Sequence, residues 1–146
     1  QDWHPYRFFE RESEISEDPE RRKELMAYYT PQPVVHFINR AVDDILQKEF
    51  GQEHGLASDR VQLLDFAMGS GIFLYDAIEK AFESGRSLDE VYKVVQEQFY
   101  GFELDEESYK VAVQNLTELF AKYGFEFDSH NMHNINTLTE EASELC

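Results

Sequence analysis

Apolar positions along this chain switch between two periods, and the switches mark its elements. Val61, Leu63, Leu64 and Phe66 form a short run with β-branched and aromatic members, which predicts a buried strand over 61–66. Asp65 sits at its carboxyl end, and Ala67-Met68-Gly69-Ser70-Gly71 turns the chain. Ile72, Phe73, Ala77, Ile78 and Ala81 then recur at helical spacing, predicting a helix that ends at Gly85. A strand, a Gly-x-Gly turn and a helix start together suit a small-molecule pocket. The glycines let backbone approach a ligand, and free amides at the helix start favour a carboxylate or phosphate. A third glycine two residues on is missing, so the full dinucleotide fingerprint fails. An ordinary tight turn fits the same residues.

The flanking segments extend the pattern. Thr30 is placed as an N-cap with Pro31 at the first helical position. Val34, Phe37, Ile38, Ala41, Val42, Ile45 and Leu46 follow as an apolar stripe ending near Gly51. Residues 52–60 form a polar connector. Ser87-Leu88-Asp89-Glu90 reads as a capping box opening a helix with Val91, Val94, Val95 and Phe99 inward. A second strand is predicted over 99–104, with Glu103 near its carboxyl end, on the same edge as Gly69 and Gly71. An acidic residue there can accept hydrogen bonds from the ribose hydroxyls of a nucleoside cofactor. Asp105 caps a further helix, with Tyr109, Ala112, Val113, Leu116, Leu119, Phe120 and Tyr123 on one face. A third strand is placed over 132–135, and another helix starts at Thr139. His130 and His133 have no third ligand nearby and read as a solvated loop, with no metal site. The alternation predicts an α/β fold with a three-stranded parallel sheet, the 99–104 strand in the middle.

Charge narrows the functional classes. The net charge is −17 over 146 residues, without a basic stripe, so this segment should repel a phosphate backbone. Partner binding elsewhere in a larger protein and a high-salt adaptation both fit that acidity. No apolar run is long enough to span a bilayer, and no secretory signal pattern occurs. With its single cysteine at position 146, the chain suits a reducing cytoplasm. It opens on Gln1, which reads as a piece of a longer polypeptide. Residues 1–29 are charged and aromatic, with Trp3, Tyr6, Phe8 and Phe9 suited to docking on a neighbouring surface.

Taken in order, these stretches resemble the amino-terminal half of an N6-adenine DNA methyltransferase domain. They are most similar to the type ISP single-polypeptide restriction-modification enzymes. Tyr28-Tyr29-Thr30-Pro31 with Val34-Val35 is similar to the family's YYTP-x-x-VV element. Residues 65–74, DFAMGSGIFL, resemble its motif I pattern DPAxGSGTFL, and Tyr100-Gly101-Phe102-Glu103 with Tyr109 and Ala112 its G-x-E element and helix. Asn136-Thr137-Leu138 looks like its NTL element, and His4-Pro5 with Phe8-Phe9-Glu10 its lead-in helix. Phe66, Met68 and Ile72 depart from the pattern. All three are apolar, so they should alter loop packing more than ligand chemistry.

The resemblance implies a partial Rossmann-like methyltransferase fold, its sheet truncated after about three strands. Residues 1–29 become an N-terminal helical lead-in and 30–146 an incomplete S-adenosylmethionine-binding part. Thr30, flanked by Tyr29 and Pro31, and the amides of Ala67, Gly69, Ser70 and Gly71 would hold the methionine carboxylate. Asp65 would position the amino group, Glu103 the ribose, and Leu104 with Asn136 and Thr137 the adenine. Family members bind a flipped adenine with an Asn-Pro-Pro-Tyr/Phe motif. No Asn here precedes Pro, so no catalytic residue is assigned and the fragment alone is expected to be inactive. DNA would be met by parts of the parent not present. Two other readings remain at this point: a methyltransferase with a non-DNA substrate, and a non-catalytic interaction module on a relic fold. The free edge of the 61–66 strand is expected to promote self-association or to be covered by the chain's own N-terminal segment or C-terminal tail.

Overall fold

The computed structural model describes residues 30–136. The proposed segment boundary at residue 29, the lead-in helix and the helix from Thr139 lie outside them. The described elements run α1 (Gln32–Lys48), a 3-10 turn (Gly55–Ala57), β1 (Leu63–Asp65), α2 (Ile72–Phe82), α3 (Leu88–Gln98), β2 (Phe99–Glu103), α4 (Glu106–Lys122) and β3 (Met132–Asn134).

The strands make one parallel sheet in the order β1-β2-β3, as the alternation of strands and helices predicts. Leu63 lies beside Phe99 and Asp65 beside Gly101, while Gly101 lies beside Met132 and Glu103 beside Asn134. That register puts Leu63, Phe99, Gly101 and Met132 on one face, because side chains alternate along a strand. α2, α3 and α4 cover this face. Leu74, Ala77, Ile78, Val91, Val94, Val95, Leu116 and Phe120 join Phe99 and Met132 in one core. Gly101 is required by close approach: a Cβ there would lie 2.4 Å from Met68 Sδ and 2.7 Å from Met132 Sδ. On the opposite face Leu64 is exposed, and Phe102 meets the His133 ring edge-on at 5.6 Å.

The strands are shorter than the apolar runs suggest. β1 keeps only 63–65, since Val61 is buried ahead of the ladder and Phe66 leaves it, two-thirds exposed. α2 stops at Phe82, with Glu83 as its C-cap, three residues before Gly85. His133 corrects the loop reading. It lies in β3, with Nε2 buried and without a hydrogen-bond partner, and burial lowers its pKa.

Two caps also differ from expectation. Pro31, not Thr30, is the N-cap of α1, and no side chain caps that end. The Pro31 carbonyl instead accepts from the amides of Val34 (2.9 Å) and Val35 (3.2 Å). Ser87 holds the N-cap position of α3 without a side-chain bond. The box stays open because Glu90 turns to Arg86, 3.3 Å from its Nε. Asp105 does cap α4, accepting from the Ser108 amide at 2.8 Å, which holds its carboxyl below the usual range. Asp105→Ala should therefore cost about 1 kcal/mol. The cap's contribution is present above the unfolded carboxylate pKa and is lost as pH falls through the lower folded value. Chemical denaturation at pH 7 and pH 3 checks both statements, the variant's deficit shrinking at low pH.

The apolar stripe of α1 exists, but apart from Leu46, which packs on the core, most of it is exposed. Phe37 is 72% and Ile45 49% exposed, while Val35 and Asn39 are the buried positions. No helix of the described residues is long and apolar enough to cross a membrane.

Candidate functional site at the carboxyl edge of the sheet

β1 delivers Asp65 to the sheet edge, and the chain then reverses tightly. The Met68 amide donates to the Phe102 carbonyl (2.9 Å), and the Gly71 amide returns to the Met68 carbonyl (2.8 Å). Gly71 is the N-cap of α2 at φ +82°, a left-handed conformation open to glycine, and an added Cβ would meet that of Ala112 at 3.2 Å. The first-turn amides of α2 have no acceptor within the helix. From α4, the buried Asn115 donates to the Ser70 carbonyl at 3.0 Å, fixing the turn from behind.

β2 brings Glu103 against this turn. Its Oε1 accepts from the Gly69 amide and its Oε2 from the Asp105 amide, each at 2.9 Å. Across the edge, Asn134 Nδ2 donates to the carbonyls of Glu103 (2.9 Å) and Leu104 (3.0 Å), and Leu104 stands two-thirds exposed.

Asp65 is the unusual group. Its Oδ1 accepts from the Ala67 amide (3.2 Å), but Oδ2 is buried with no partner. Burial raises its pKa, the Ala67 amide opposes that, and the nearby Glu103 adds to it. A buried unpaired carboxylate oxygen is costly unless something cationic or donating meets it. Two acids on one ledge suit a positively charged ligand with hydroxyl donors.

The structure thus brings Asp65, Ala67, Gly69, Ser70, Gly71, Glu103 and Leu104 to one edge. Thr30 and Pro31 begin α1, whose Val35 packs on Ile72 and Phe73 at the start of α2. No hydrogen bond links Thr30 to the turn among the described residues. Asn136 follows β3 on the same edge and makes interactions of its own. Tyr29 and Thr137 lie outside the described residues. Met68 and Ile72 are buried and Phe66 exposed. Met68 thus fills the space below Gly101, whereas Phe66 adds an apolar surface to the ledge.

Sequence reasoning missed Asn115, Asn39 and Asp76. A lone polar residue in a helical pattern carries no signal of what it will meet.

Two surface clefts, of about 310 and 360 Å³, lie away from this edge. The first is lined by Asp43, whose carboxylate is already taken by the Leu56 amide (2.9 Å) and Gln47 (2.9 Å). The second contains Arg86, paired with Asp59 at 2.8 Å. The described residues hold no cluster of three metal-ligating side chains.

The turn, Asp65 and Glu103 thus lie at the carboxyl ends of adjacent parallel strands, where open α/β sheets bind ligands. The family model described as N-6 DNA methylase matches residues 17–145, and the chain belongs to that family. Three solved structures are similar to it. A DrdV–DNA complex seen by cryo-electron microscopy aligns at TM-score 0.66 and 28% identity, covering 75% of this chain and 10% of that one. The ATP-dependent type ISP restriction-modification enzyme LlaBIII bound to DNA aligns at 0.61 and 28%, covering 71% and 7%. A nuclease-deletion mutant of the type ISP enzyme LlaGI with a DNA substrate mimic aligns at 0.66 and 25%, covering 80% and 11%. The chain therefore spans about a tenth of the length of these proteins or less. No curated protein matches it.

Proposed function

We propose that this chain is the S-adenosylmethionine-binding part of a DNA adenine-N6 methyltransferase belonging to a restriction-modification system. The observation that carries the reading is the unpartnered, buried Oδ2 of Asp65 beside Glu103, at the edge where the Gly turn opens α2. The residues fit the cofactor. Asp65 offers an acceptor to the methionine ammonium, and each Glu103 oxygen, bonded to one amide, keeps a lone pair for a ribose hydroxyl. Exposed Leu104 offers a flat apolar contact to adenine, whose edge would fall to Asn136 and Thr137. The amides of Ala67, Met68, Gly69 and Gly71 are already bonded within the chain, so the methionine carboxylate is left to Thr30 and the open first-turn amides of α2.

S-adenosylmethionine supplies the methyl group when bound. This chain orients it, and its acidic ledge favours the cationic sulfonium. Transfer to adenine requires the Asn-Pro-Pro-Tyr/Phe motif and DNA contacts from the rest of the parent, so the chain alone does not methylate. The cytoplasm, where restriction-modification acts on DNA, is its compartment.

Calorimetry with S-adenosylmethionine tests the reading. Affinity should be highest near neutral pH and fall as pH drops through the raised pKa of Asp65, because the protonated acid no longer accepts from the ammonium. Asp65→Asn should weaken binding and flatten that profile. Absence of any binding at millimolar cofactor would reject the proposal.

DNA affinity should reside elsewhere. With −17 charge and no basic cluster, this chain alone should bind a duplex only weakly at physiological salt. Fluorescence anisotropy checks this, and a sub-micromolar Kd would contradict it. The outer edge of β1, unpaired among the described residues, supports self-association, opposed by the net charge and promoted by salt.

A further inference from the structure

We propose that Asn39, Asp76 and His36 are positioning residues that hold the start of α1 against the Gly turn, so that cofactor affinity depends on a polar clasp whose members are not themselves ligand contacts. The inference rests on the cofactor reading above. α1 leaves most of its apolar stripe exposed and attaches its first half to α2 through two buried residues, Val35 and Asn39. Val35 meets Ile72 and Phe73, immediately after Gly71, in a cluster separate from the main core. One turn further on, Asn39 Nδ2 donates to Asp76 Oδ2 (2.8 Å) and to the Phe73 carbonyl (3.1 Å). Asp76 is itself buried, and its Oδ1 pairs with His36 Nδ1. Gln32, in the first turn of α1, contacts His36 Nε2 at 3.2 Å.

The clasp therefore runs from the first turn of α1 to the first turn of α2. A carboxylate buried between two helices is a poor way to add stability, because apolar residues of similar volume do as well or better. Its bonds are directional, however. Asn39 can satisfy both acceptors only in one rotation and register of α1. That register sets where Thr30 and Pro31 stand relative to Gly69–Ser70–Gly71. Asp43, bonded to the Leu56 amide, pins the second half of α1, and the clasp is what fixes its first half.

The test replaces the clasp without emptying the space. In the full chain, Asn39→Leu combined with Asp76→Leu should melt within a few degrees of the unmodified protein. It should nevertheless bind S-adenosylmethionine at least about tenfold more weakly, and amides of 32–36 should exchange faster. Asp76→Asn should restore affinity to within about threefold, since it keeps an acceptor for Asn39 and can donate to His36. A role in stability alone would make affinity track melting temperature. Unmodified affinity in the double-Leu variant overturns the proposal. If the unmodified chain binds no cofactor, the function reading fails by itself and exchange decides the clasp. Unchanged exchange at 32–36 in the double-Leu variant then overturns it.

Discussion

Glu103→Ala is expected to weaken S-adenosylmethionine binding by about 1–3 kcal/mol, roughly 5- to 150-fold in Kd. The magnitude follows from what the carboxylate does on both sides of the ledge. It would accept the ribose hydroxyls, and it already accepts from the amides of Gly69 and Asp105. Truncation leaves cofactor hydroxyls without acceptors and releases the turn. Glu103→Gln keeps the shape and one acceptor oxygen, but its NH2 must face one of the two amides, donor to donor. It should melt below the unmodified chain and above Glu103→Ala, and lose part of the affinity. Calorimetry beside thermal denaturation reads both quantities. A Glu103→Ala variant that binds the cofactor with unchanged affinity would remove Glu103 from the site.

Phe120→Ala should be the most destabilising single change, at about 3–5 kcal/mol. Phe120 is fully buried under the sheet, edge-on to Phe82 at 5.6 Å, to Tyr92 at 5.8 Å, and 4.9 Å from Phe127. Around it, Phe82 stacks on Tyr123 and Tyr92 on Phe125, each at 4.5 Å. These rings lock α2, α3 and α4 to the segment after Gly124, so the gap cannot close by moving one side chain. A packed interior loses both transfer energy and contacts when a large ring is removed. Urea titration should show a lower midpoint at an unchanged slope. Phe120→Leu, which keeps much of the volume, should cost clearly less. A cost below about 1 kcal/mol for the alanine variant would mean that the cluster collapses freely.

Much of the fold could be read from spacing, and the reason is physical. β1 and β2 are bounded by turn residues and long amphipathic helices, so parallel pairing was the arrangement that could bury both. Glu103 was found because parallel strands align their carboxyl ends. Helical spacing at 112, 116, 119 and 120 named the core face of α4. The same spacing misled at α1, where Phe37 and Ile45 are apolar yet exposed. Periodicity reports a face, not what lies against it. Thr30 and Ser87 had the chemistry of caps, but Pro31 took the first role and Arg86 drew Glu90 away from the second. The Asn39–Asp76 pair spans 37 positions. Nothing local distinguishes such residues from a solvated helix surface.

β1 has three residues and, among the described residues, pairs on one side only, with β2. Opening free energies within a native protein vary from near zero to the global value, and a short edge element belongs to the low end. Here that element carries Asp65 and leads directly into the Gly turn. Any local opening that frees β1 also dismantles the ledge, so a ligand seated there must act as a brake on the motion. At a concentration a hundredfold above its Kd, a ligand that binds only the closed form raises the cost of opening by about 2.7 kcal/mol. The slowing would appear at the amides of 63–65. The strand that presents the site is thus the part of the molecule whose lifetime its ligand would govern.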